Sequence, residues 1–108
     1  MTDLRPLPLD QHEERALAEF LRFVDDAGLA AKTVAEERHV FRGSDGRIIV
    51  PVGVDAEHPS LSLALFMEHK ANQLYKQTGC RFALAQRPSR TPEKALYLWS
   101  GEDWQQLL

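Results

Sequence analysis

The chain has almost no cysteine and no long apolar run, and each shortage closes a route. Cys80 is the only cysteine among 108 residues, so no internal disulfide can hold the fold together. A chain of this length does not need one. It can bury roughly two thirds of the surface that its unfolded form exposes, enough for one domain without a metal or a cross-link. No apolar run exceeds five residues; LALFM at 63–67 is of that length. A membrane-spanning helix requires ~20. The opening MTDLRPLPLD carries no apolar core of the kind a secretory signal has. These readings lead to an expectation of a cytoplasmic protein with no membrane partner.

Residues that carry catalysis are scarce in the spacings that catalysis needs. His12, His39, His58 and His69 fall in four different segments. HEERAL begins as a zinc-protease helix does, but Ala16 stands where the second histidine is required. Cys80 follows Gly79 at the end of a helical pattern, where the negative end of the helix dipole disfavours a thiolate. Cys80 therefore reads as a small packing residue. GSDG at 43–46 is neither a G-x-S-x-G nucleophile elbow nor a phosphate loop between a strand and a helix. The expectation is a protein without metal, cofactor or catalytic activity.

What is present belongs to a folded domain. Hydrophobic residues make up 44% and charged residues 27%, ordinary proportions for a globular chain. The net charge of −3 is unevenly spread. Residues 1–30 carry an excess of four acids, and residues 68–94 an excess of four bases. Such polarity suits an anionic partner at one end, or neutralisation of one element by another.

Periodicity divides the chain. Residues 1–9, with Pro6 and Pro8, read as an extended leader, and residues 10–108 as one domain. Asp10 and Glu13 form a capping box ahead of Leu17, Phe20, Leu21 and Val24 at helical spacing, which predicts a helix over about 11–27. RHVFRGSDGRIIVPV predicts a hairpin turning at Gly43–Gly46, with Arg42 facing Arg47 and Phe41 facing Ile48. Pro51 argues for an edge position or a strand end. A second helix opens at Pro59 or Ser60, buries Leu63, Phe66, Met67, Ala71 and Leu74, and stops at Gly79. Residues 81–87 and 95–99 predict two more strands, with Phe82 and Leu84 beside Leu96 and Leu98 on the core face. Ser100 and Asp103 predict a cap for a short C-terminal helix. The fold expected is α+β in the order α-β-β-α-β-β-α. Its sheet is four-stranded and mostly antiparallel, with two helices on one face.

That arrangement leaves one sheet face without cover. Arg38, Arg42, Arg47, Arg81, Arg87, Tyr97 and Trp99 are expected to share it and to form a binding site. Tyr, Trp and Arg dominate the energetics of protein–protein contacts. Arginines beside exposed aromatic rings also suit unpaired bases and phosphates. The first expectation is contact with another protein, a second copy of the chain included; single-stranded nucleic acid is the alternative. A small enzyme with a pocket that the sequence does not disclose is the third. FLRFVDDAGLAAKTV resembles the N-terminal helical segment of tyrosine recombinases over about fifteen residues. None of that family's catalytic motif follows, so no functional residue is carried over.

Overall fold

The computed structural model describes residues 8–26, 31–33, 40–43, 45–90 and 95–107, with 31–33 described by backbone alone. Their elements run α1 (Gln11–Asp26), β1 (Ala31–Thr33), β2 (Phe41–Arg42), β3 (Ile48–Val54), α2 (Leu61–Thr78), β4 (Phe82–Pro88), β5 (Tyr97–Trp99) and β6 (Trp104–Gln106).

Both long helices form where the sequence places them, and for the reasons it offers. Asp10 Oδ1 accepts from the Glu13 amide at 2.8 Å, and Glu13 Oε1 accepts from the Asp10 amide at 3.2 Å. This reciprocal box satisfies amides that no helical carbonyl reaches. Ser60 caps α2 by accepting from the Leu63 amide at 3.1 Å. Gly79 ends it at φ 76°, a left-handed conformation that glycine adopts without a Cβ clash, and its N–H donates to Tyr75 O. The buried residues are Ala16, Leu17, Phe20 and Val24 in α1, and Leu63, Ala64, Met67, Ala71 and Leu74 in α2. No described helix is long and apolar enough to cross a membrane.

The class is α+β, but the sheet differs from the expected one in four respects. First, it is mixed. β3 and β4 run parallel from Ile48↔Phe82 to Val54↔Pro88, joined by the α2 crossover. Their side chains are buried on both faces, as a covered parallel pair requires: Ile48, Val50, Val52, Phe82 and Leu84 face the helices, and Ile49, Ala83 and Ala85 face away. Near-continuous apolar runs such as IIVPV and FALA are the signal of such a pair, whereas strict alternation belongs to a sheet with one open face. Second, there are more strands. β1 pairs with Val52–Val54, and β2 with Ile48–Ile49, on the same edge of β3. Pro51 lies between those two pairings, so the missing N–H of an interior strand falls where no described strand pairs with it on that edge.

Third, two registers are displaced by an odd number of residues, one in β2–β3 and three in β4–β5. Arg42 faces Ile48 and Phe41 faces Ile49, because the turn closes at Gly43 N–H to Arg47 O, 2.8 Å, rather than at Arg42. Across β4 and β5, Ala85 faces Leu98 and Gln86 faces Tyr97. An odd shift moves every side chain to the other face. Leu96 and Leu98 therefore do not join Phe82 and Leu84. With Ile49, Ala83 and Ala85 they build a second small core on the reverse face, flanked by Phe41 and Leu107. Ile49, Ala85 and Leu96 are each 0% exposed, so the reverse face is not the open platform expected.

Fourth, the C-terminal helix is a strand. Ser100 N donates to Asp103 O at 2.9 Å across a two-residue turn led by Gly101 at φ 100°, and Trp99 then faces Trp104. Ser100 Oγ also accepts from the Asp103 amide at 3.1 Å. A serine and an aspartate at this spacing cap a helix or close a hairpin, and glycine at positive φ in the first turn position selects the hairpin.

Candidate functional site

α2 has two flanks. On one, Lys70 Nζ sits 5.1 Å from the Phe23 ring and 5.5 Å from the Phe66 ring, tying α2 to α1. The other flank carries Glu68, Asn72 and Tyr75, spaced so that they stack along one side of a helix. No described helix lies beyond this flank. β4 pairs with β3 over all seven residues but with β5 only at Ala85 and Gln86. Where that second pairing stops, a cleft of about 390 Å³ opens between α2, the first half of β4 and the end of β5.

Its floor is apolar, with Met67, Ala71, Phe82 and Leu84. Its aromatic wall is Trp99, whose ring meets Trp104 edge-on at 5.1 Å. Trp99 Nε1 is enclosed and has no acceptor. Arg81 lies 4.9 Å above the Tyr75 ring, a cation–π contact that holds the guanidinium at the rim. Arg47 Nε is 2.6 Å from Asp45 Oδ2, a charge-assisted contact between guanidinium and carboxylate. Burial pushes the Asp45 carboxyl up. Hydrogen bonds from the Arg47 amide and side chain, with the Arg47 charge, outweigh it and leave the group below its ordinary value.

Of the seven residues expected to form the site, Arg47, Arg81 and Trp99 meet in this cleft. Three others lie elsewhere. Arg42 reaches Gly46 O at 3.0 Å and Glu13 of α1 at 3.7 Å. Arg87 stands on the reverse face by alternation with Ala85, half-buried, with its Nε enclosed and unpartnered. Tyr97 is half-buried opposite Gln86, outside the cleft lining. Arg38 lies outside the described residues.

Sequence reasoning missed Glu68, Asn72, Tyr75 and Ser100, all of which line the cleft. The signal for the first three was the second stripe on α2, which continues through Leu61 and Leu65, 45% and 51% exposed. Gln86 was also missed. Fully buried, it accepts from the Ser60 amide at 2.6 Å and donates to Ser60 O at 2.9 Å. It thus clamps the first turn of α2, one wall of the cleft, to β4. Among the described residues no three of His, Cys, Asp and Glu gather to hold a metal. Cys80 is half-buried against the main core at the junction of α2 and β4. Comparison with protein-family models, curated proteins and solved structures finds no match to this chain.

Proposed function

We propose that the protein is a small, non-catalytic binding module of the cytoplasm that contacts another protein, a second copy of itself included, through the cleft beside α2. The observation that carries this reading is the convergence of Arg47, Arg81 and Trp99 on one concave surface of mixed polarity with an apolar floor. Contacts between proteins concentrate their free energy in aromatic and arginine anchors set in pockets from which water is excluded. Leu61, Leu65 and Tyr75 extend the same surface along α2, and their exposure gives a partner apolar area to cover. Single-stranded nucleic acid ranks second. Its recognition calls for a continuous basic track, whereas Arg42 turns toward α1 and Arg87 stands on the reverse face.

Sedimentation equilibrium at low and high salt, on the wild type and on Trp99→Ala, tests self-contact. A dimer that resists salt and dissociates on substitution supports the reading. A dimer indifferent to the substitution puts the interface elsewhere and contradicts it. A monomer throughout removes the second copy and leaves a different protein as the partner. Binding of a labelled single strand that falls steeply with salt would replace the reading with its rival.

A further inference from the structure

Trp99, which lines the cleft, carries a hydrogen-bond donor that lacks an acceptor. Its Nε1 is enclosed, whereas Arg47 Nε lies 2.6 Å from Asp45 Oδ2. A buried donor left unpaired costs free energy that only an acceptor relieves. Arg47 and Arg81 are also held side by side, because they immediately precede the paired residues Ile48 and Phe82, and Ile48 N donates to Arg81 O at 2.8 Å. Arg47 has Asp45 to offset its charge. Arg81 has the Tyr75 ring and no carboxylate among the described residues. Neighbouring cations, one of them without a carboxylate among the described residues, and an unpaired indole donor call for an anion with oxygen acceptors.

The apolar floor of Met67, Ala71 and Leu84 calls for something else as well. Those side chains offer no hydrogen bond to the part of a ligand that rests on them, and Asn72 and Ser100 stand at other parts of the lining. Glu68 on the α2 wall adds a negative charge, which favours a single charge over a phosphate dianion. The volume, about 390 Å³, lies near the lower end of ligand pockets, roughly 300–1,000 Å³.

We infer that the cleft takes a carboxylate carried on a compact apolar body, with the carboxylate held by Arg81 and, once the indole turns its enclosed N–H toward the cleft, by Trp99, and the apolar part resting on Met67, Ala71 and Leu84. This rests on the cleft being the binding site proposed above. The same chemistry has two sources. One is the C-terminal residue of a partner polypeptide, and the other is a free organic acid.

The test follows the indole and guanidinium N–H resonances of the ¹⁵N-labelled chain, with Trp104→Phe used to assign the Trp99 signal. The probes are acetyl-Ala-Ala-Leu with a free carboxylate, the same peptide as its carboxamide, and 4-methylpentanoate. Saturable shifts of Trp99 Nε1–H and Arg81 Nε–H with the free-acid peptide are expected, and binding at least about tenfold weaker for the carboxamide. Trp99→Phe keeps a ring and removes the donor, and Arg81→Gln removes the charge; each should weaken binding about tenfold. Arg81→Lys should recover part of the loss, and a dispersed spectrum shows that each variant is folded. Saturation by 4-methylpentanoate but not by the peptide would keep the carboxylate and assign it to a free acid, against a protein partner. Equal shifts from peptide acid and carboxamide would overturn the carboxylate and leave the cleft as a binding site. No shift at millimolar probe would overturn the inference.

Discussion

At the scale of single residues, the strongest claims concern polar groups with defined partners. Gln86 makes two hydrogen bonds to the Ser60 backbone from a fully buried position. Gln86→Leu keeps the volume and leaves the Ser60 amide unpaired, while Ser60 O keeps the Ala64 N–H. It should destabilise the protein by about 2–3 kcal/mol, measured by urea unfolding. A loss below about 0.5 kcal/mol would mean that water replaces the clamp. Asp45 supplies a pH test. Its folded-state carboxyl is held below the ordinary value of 3.8. A depressed carboxyl contributes stability that is present above the unfolded pKa and is lost as pH falls through the folded one. The stability curve should therefore steepen below about pH 4, and Asp45→Asn should flatten that limb while leaving the neutral region nearly unchanged. An unchanged acid limb in Asp45→Asn would remove the Arg47 pairing from the account.

At the scale of elements, the helices were legible and the sheet was not, for a physical reason. A helix is specified locally. Asp10, Glu13, Ser60 and Gly79 act on amides and carbonyls within a turn of themselves, and they bound α1 and α2 at the expected places. A strand is specified by its neighbour, and FALA can pair in either direction and in either of two registers. The odd, three-residue difference between Ala85↔Leu98 and the expected pairing moved Leu96 and Leu98 to the reverse face and brought Trp99 to the helix side. The site was therefore half-legible: the residue types were right, while the face that gathers them depended on register. Ala85→Lys separates the two arrangements. On an open face it would be mild. In the observed second core, where Ala85 is 0% exposed, it should cost more than about 3 kcal/mol or prevent folding. Gly79→Ala should cost about 1 kcal/mol, because alanine is strained at φ 76° although no atom stands in its way.

At the scale of the whole molecule, two helices cover β3 and part of β4, and the sheet continues past them to β5 and β6. That excess of sheet over helix opens the cleft, lined on one side by α2 and on the other by Trp99. The charge polarity has the same geography. Acid-rich α1 lies on one flank of α2, and the basic segment that contains Arg81 reaches the other. A partner that meets the second flank gains apolar contact from Leu61, Leu65 and Tyr75, and charge pairing from Arg81 and Arg47. The central claim is that binding occurs on this flank and nowhere else on the surface. Site-specific photo-crosslinking tests it most directly, with a benzophenone side chain placed at Tyr75 on the cleft rim or at Arg22 on the exposed side of α1. The account predicts a discrete adduct from position 75, none from position 22, and loss of the first in Arg81→Gln. Equal adducts from both positions, or an adduct from 75 that survives Arg81→Gln, would contradict it.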